Sequence, residues 1–313
     1  MIELPGSLTT KSRWACNAVL DLVVEMWGYS FMRRAFAATT VLSVSMAPVG
    51  AFLVLRRLSL AGEAMAHAIT PGIVIAFVFT GLSVTSLLVG GLAAGMAVAT
   101  LSTVLSRTTI IRGDASLASF YLIALALGVF ILSAAGSAVP LRSFLFGSIL
   151  GLDDESLFLL GVVATVTLVS FSWLLRPLIM STCDPAFFES QVTRPWVTDQ
   201  IFMVLLVLNL LGAFKTMGTL MAVGLLILPA TAARCWAVSI TGQIGLGVLF
   251  SLMSSWLGLC ISYAFPDTPS GPAIILVAGF MFLSSTLVGP FGFGRRIRLR
   301  PLKADGPRTG ASV

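Results

Sequence analysis

The feature that most restricts this chain is a succession of apolar runs, each close to the length of a membrane-crossing helix. They occupy residues 36–55, 64–79, 86–105, 117–135, 157–175, 242–264 and 273–288. A spanning helix needs about 20 mostly apolar residues. A further apolar region, 200–236, is interrupted at 212–218 and reads as two short spans or as a re-entrant pair. Either way it enters and leaves on one side. The chain is therefore expected to be an all-α polytopic membrane protein with about 8–9 transmembrane helices.

Composition agrees. Apolar residues make up 57% of the chain and charged residues 10%, with a mean hydropathy of +1.01. Soluble domains carry about 25% charged residues, so this chain lacks the polar surface to coat a water-exposed ball. Cys16, Cys183, Cys235 and Cys260 are scattered without CxxC spacing, which excludes a zinc finger and a thiol redox site and leaves packing roles. The net charge of +6 does not point to nucleic acid. Arg295, Arg296, Arg298, Arg300 and Lys303 crowd a stretch directly after an apolar run, the pattern of a cytoplasmic flank facing anionic lipid.

Basic residues also choose the orientation. With Arg56 and Arg57 in the cytoplasm, so are Arg107 and Arg112, Arg176 and Arg194, Arg234 and the C-terminal cluster. The opposite side receives Arg142, Lys215, Asp153, Asp154, Glu155 and Asp267; the pair Arg33 and Arg34 falls there against the rule. Residues 1–30 contain Asp21 and Glu25 and no long apolar core, so they are not a signal peptide. Cys16, Val19, Leu20, Val23 and Val24 form a helical stripe suited to the membrane interface. The expected organisation is an interfacial segment over 1–30, a transmembrane unit over 31–292 and a basic, disordered tail over 293–313.

Nearly all charges fall in loops and ends. The exception is Glu63 with His67, the single histidine, near the start of the second run. Spacing of four puts both side chains on one helix face. Ionisable groups inside a membrane are costly and mark ion pathways, proton relays or helix-orienting pairs. Carboxylate and imidazole together suit zinc, manganese and iron(II). A transit site that must release its ion needs few protein ligands, or takes some from a second copy. Pro71-Gly72, one turn further on, permits a bend. Gly90-Gly91 and Gly95 offer small faces for close helix packing, and Lys215 reads as a residue snorkelling to the interface.

Absences narrow the chemistry. There is no HExxH and no phosphate-binding Gly-x-x-x-x-Gly-Lys-Ser/Thr loop, so any ATP-driven transport needs a separate ATPase. The longest polar stretch between spans, 175–198, contains Cys183-Asp-Pro-Ala-Phe-Phe-Glu-Ser-Gln-Val192. Asp184 fits an N-cap and Pro185 the first helical position. Phe187, Phe188 and Glu189 would ride on a short helix, with exposed phenylalanines serving as a docking knob or dipping into lipid.

The segment Leu55-Arg-Arg-Leu-Ser-Leu-Ala-Gly-Glu-Ala-Met-Ala-His-Ala-Ile-Thr-Pro-Gly72 resembles the signature of the zinc/manganese/iron permeases of ABC importers. Further matches follow at Leu145-Phe-Gly-Ser-Ile-Leu-Gly151, at Asp184 through Phe188, and at Lys215-Thr-Met-Gly218. Leu226-Ile-Leu-Pro-Ala-Thr-Ala232 and Pro269-Ser-Gly-Pro272 complete the set. The likeness runs from about residue 31 to about residue 296. One departure is Glu63, where the family usually has Asp; Arg112-Gly-Asp-Ala-Ser-Leu117 matches only loosely.

The resemblance implies a type II ABC importer-like permease, itself no enzyme, in a bacterial cytoplasmic membrane. It would work as a homodimer or with a paralogous permease, with cytoplasmic ATP-binding subunits and an extracytoplasmic metal-binding protein. No cofactor would be permanently bound; zinc, manganese or iron would be the cargo. Glu63 and His67 would line the path, and Asp184, Pro185, Phe187, Phe188 and Glu189 would couple to the ATPase. The alternative is a proton-coupled secondary transporter with Glu63 and His67 as its relay.

Overall fold

The computed structural model describes residues 26–80, 83–111, 113–134, 152–265 and 268–291. All regular structure among the described residues is helical. In chain order the helices are α1 (Ser30–Leu55), α2 (Ser59–Thr80), α3 (Val84–Thr108), α4 (Gly113–Ala134) and α5 (Asp154–Cys183). Then come α6 (Pro185–Gln191), α7 (Pro195–Met217), α8 (Thr219–Arg234), α9 (Ile240–Ala264) and α10 (Ser270–Val288). Eight of them are long and apolar enough to cross a membrane, and α8 is shorter, which agrees with the sequence expectation. The amphipathic stripe, the basic tail, Leu145 through Gly151, Arg112, Arg142 and Asp267 lie outside the described residues.

The interrupted region resolves into a span-length helix and a short one. α7 runs through Gly212, which has ordinary van der Waals space against Leu160 and Val163, and stops at Gly218. Gly218 adopts φ 80° and ψ 167°, a conformation that side-chain-bearing residues avoid, and it serves as both the C-cap of α7 and the N-cap of α8. The single break thus falls at the far edge of the interruption read from the sequence.

α1 is the most enclosed span, with Leu42, Met46, Val49, Phe52 and Leu53 fully buried. It packs on α5, α8 and α9, while α7 packs on α3, α5 and α8. α2, α3 and α4 form a cluster of their own, and α9 and α10 close the other flank against α8. Small residues allow the tightest crossings, as expected where lipid supplies no hydrophobic drive between helices. A Cβ on Gly90 of α3 would stand 2.5 Å from the carbonyl oxygen of Gly72 and 2.7 Å from the Cβ of Ala76. Gly91 and Gly95 face Leu211 and Val207 of α7 in the same manner.

Polar contacts sort the helix ends into two sets. At one end Arg56, which caps α1, bonds Asp199 at the start of α7, and Arg234 of α8 donates to the carbonyl of Val54. α7 and α8 therefore begin and end on the same side, as the sequence implied. At the other end Arg34 of α1 pairs with Asp154 of α5 at 2.9 Å and donates to the carbonyl of Leu152. A carboxylate from another span thus stands beside Arg34 and offsets its charge at this end of the bundle.

Candidate functional site

α2 begins at Ser59, five residues before its apolar run, because the chain re-enters helix directly after a tight link. Arg57 in that link takes φ 59°, a left-handed conformation that costs a non-glycine residue about 1–3 kcal/mol. The Leu58 amide donates to Leu53 and the Ala61 amide to Leu58, stitching the link to both helices. Glu63 and His67 consequently sit one and two turns inside a membrane-length helix.

One face of α2 is packed away. Ala61, Gly62, Ala64, Met65, Ala66, Ala68, Ile69, Pro71 and Gly72 are buried. Leu60, Glu63, His67, Thr70 and Val74, at spacings of three, four, three and four, form a strip that is exposed or half-buried. Glu63 is exposed and His67 half-buried. At the centre of a span a charge facing acyl chains costs about 2.5–3.5 kcal/mol; Glu63 stands one turn from the start of α2, where water or another protein surface can meet its carboxylate.

His67 stacks on Tyr121 of α4, ring centroids 6.0 Å apart at 26°. Among the described residues Glu63 and His67 form no ion pair or hydrogen bond with each other, leaving carboxylate and imidazole available to a third party. No group of three or more His, Cys, Asp or Glu is assembled among the described residues. The strip thus brings one carboxylate and one imidazole to the same side of α2. Tyr121 was not visible from the sequence, because only the packing of α4 on α2 brings it beside the histidine.

Pro71 and Gly72 lie within one continuous helix, and both are packing positions. A Cβ on Gly128 of α4 would come within 3.0 Å of Pro71 Cα and Cβ, and Gly72 faces Gly90. The two residues fix how α2 meets α3 and α4, and so which strip of α2 stays open. Pro229 and Ala230 of the Leu226-to-Ala232 segment are likewise buried, with Leu226 and Ala230 against Gly50 of α1. For Lys215 only its place on α7, just before Gly218, is described.

The short helix forms as its sequence dictates. Asp184 Oδ1 accepts from the Phe187 amide at 3.0 Å, and Pro185 occupies the first helical position. One expectation is corrected: of the two phenylalanines, Phe187 is 50% exposed but Phe188 is only 4% exposed. Adjacent helical residues point in different directions, so Phe188 anchors α6 to the body while Phe187 projects and Glu189 stands at the exposed rim of the cavity behind it. Behind α6 lies a cavity of about 390 Å³ bounded by Arg56, Arg57, Arg107, Asp199 and Glu189. The sequence flagged these arginines only as markers of sidedness.

A profile of the ABC 3 transport family matches residues 28–289, the whole helical body. The chain belongs to the ABC 3 transport family. Relatives agree with the assignment along nearly their full length. The manganese import system permease protein ScaB of Streptococcus parasanguinis is 31% identical over 273 residues, 87% of this chain and 95% of that protein. The zinc transport system membrane protein TroC of Treponema pallidum is 30% identical over 288 residues, 88% of this chain and 96% of its own. Among solved structures, PsaBC from Streptococcus pneumoniae in complex with Fab superposes with a TM-score of 0.78 at 28% identity, covering 90% of this chain and 99% of that one. This ABC 3 family member is a multi-pass membrane protein, and these likenesses give no support to the proton-coupled alternative.

Proposed function

We propose that this chain is the membrane-crossing permease subunit of an ATP-driven bacterial importer for manganese or zinc. The observation that carries the reading is the placement of Glu63 and His67 on one incompletely covered strip of a membrane-length helix whose opposite face is packed. The cargo ion would pass between carboxylate and imidazole, with water or a second permease copy completing its shell. Oxygen and nitrogen donors of this kind suit both metals. Two protein donors hold the ion long enough to exchange its hydration and loosely enough to let it go.

The same strip motivates the partner. A second copy of this chain, or a paralogous permease, would cover the Glu63 side and enclose the path between the two subunits. ATP-binding subunits would seat α6 on the cytoplasmic face through Phe187 and Glu189, with Asp184 and Pro185 holding its shape and Phe188 rooting it. An extracytoplasmic metal-binding protein would deliver the ion at the opposite end, beside Arg34 and Asp154. The chain itself would hydrolyse nothing and hold no resident cofactor.

Uptake of radioactive manganese and zinc by cells expressing Glu63→Gln, His67→Ala or Glu63→Asp tests the site. Both of the first two variants should lose uptake at normal expression, because each removes one of two donors. Glu63→Asp keeps the carboxylate one methylene shorter and should retain uptake with an altered manganese-to-zinc ratio. Full uptake by Glu63→Gln and by His67→Ala would sink the assignment.

A further inference from the structure

We propose that Arg56, through Asp199, is the positioning residue that carries movement of α6 to the strip of α2 bearing Glu63 and His67. The inference rests on reading α6 as the contact for the ATP-binding subunit. Its basis is one guanidinium that holds both flanks of α6 and also ends the helix leading into α2.

The contacts are specific. Nη1 of Arg56 donates to Asp199 Oδ1 at 2.7 Å, Nη2 to Ser181 Oγ at 2.6 Å, and Nε to Thr182 Oγ1 at 3.2 Å. Ser181 and Thr182 are the last turn of α5, just before the Asp184 cap; Asp199 is in the first turn or so of α7, just after α6. Its Cζ lies over the ring of Phe202 of α7, 5.3 Å from the centroid. Held by edge and by face, with a side chain only 12% exposed, the guanidinium joins the ends of α5 and α7 into one body. Arginine's rigid fork makes such a joint possible; a lysine would supply a point charge without it.

Arg56 is also the C-cap of α1, and only Arg57 and Leu58 separate it from α2. That link has no slack, since Arg57 is in a left-handed conformation and Leu58 is hydrogen-bonded in both directions. A displacement of Arg56 must therefore reach the start of α2, one turn from Glu63. The other routes from α6 are weaker. α6 packs chiefly on α5, and the cavity of about 390 Å³ separates it from the link. Arg107 of α3 approaches Asp199 only to 3.6 Å and is 45% exposed.

The test uses the complete complex of this chain with its ATP-binding subunit in proteoliposomes, supplied with the delivering protein and manganese or zinc. It reads metal ions taken up per ATP hydrolysed, and the ATP-binding subunit retained on purification. Asp199→Asn should keep the subunit and hydrolysis while lowering ions per ATP by about tenfold, in the range by which coupling mutations act. Arg56→Lys should fall between this and the parent. An unchanged ratio in Asp199→Asn, including one where hydrolysis and uptake fall together, overturns the proposal.

If Asp199→Asn does not reach the membrane, the double variant Ser181→Ala, Thr182→Val removes two bonds of the joint without orphaning a charge and is read by the same criterion. Phe187→Arg separates the two readings. Its full retention of the ATP-binding subunit would defeat the docking role of α6, whereas loss of that subunit with an unchanged ratio in Asp199→Asn defeats only the role of Arg56.

Discussion

The ring of Tyr121 on α4 lies stacked against that of His67 on α2, 6.0 Å between centroids, and joins two helices whose sequences give no sign of meeting there. The stack holds the imidazole from one side, so its nitrogens are presented rather than free to swing. Aromatic pairs of this kind contribute about 0.5–1.5 kcal/mol, so Tyr121→Leu should weaken the apparent affinity for transported metal by about two- to tenfold. Tyr121→Phe keeps the ring and should match the parent. Concentration-dependent uptake of radioactive manganese by cells expressing each variant measures both.

Gly90→Ala places a methyl group against the backbone of Gly72, which cannot move without shifting α2. Overpacking of this kind costs about 1–3 kcal/mol, so the variant should melt at a lower temperature in detergent and lose uptake. At Gly161 of α5 an added methyl group would meet nothing within 4 Å, and Gly161→Ala should melt at or above the parent temperature, since alanine favours helix by about 1 kcal/mol.

Removing the Asp184 cap by Asp184→Ala should destabilise α6 by about 1 kcal/mol. Phe187→Ala leaves that helix formed and deletes its exposed ring. Both variants should reduce the ATP-binding subunit recovered with this chain, and Asp184→Asn, which preserves the cap oxygen, should recover most of it. Pull-down from detergent extracts, with the permease band as reference, reads the three side by side.

Cys183 is exposed at the end of α5 that meets Arg56 of the α1 cap and leads into α6. Cys235, beyond the end of α8, is partly buried, and burial raises its thiol pKa above the ordinary value. Less thiolate at a given pH means slower alkylation. A membrane-impermeant maleimide at neutral pH should therefore label Cys183 before Cys235 in inside-out vesicles, and spare Cys183 in intact cells. Cys183→Ser identifies the band; labelling of Cys183 from outside would reverse the assigned sidedness.

Much of the fold was legible because the membrane imposes a simple rule. Runs of apolar residues long enough to cross a bilayer must become helices, and the residues at 36–55 or 242–264 do so without reference to any neighbour. The cap at Asp184 was equally readable, since capping is satisfied within one turn. Glu63 and His67 stood out because so few charges lie within spans. The break at Gly218 was less exact, because both Gly212 and Gly218 could end a helix and the sequence does not say which of them takes the positive φ that stops α7.

Hydropathy, charge placement and helical spacing are local quantities, so the amino-acid order alone located the long spans and singled out the one carboxylate–imidazole pair within them. Relations between distant segments came from tertiary packing. It matched Arg34 with Asp154 across 120 positions, set Phe188 inward and Phe187 outward, and drew Ser181, Thr182, Asp199 and Phe202 around Arg56. It also buried one face of α2 and left Glu63 and His67 on the less covered side. The reason is physical: which face of an apolar helix is covered depends on the shapes of its neighbours, and in lipid hydropathy no longer distinguishes an inward face from an outward one.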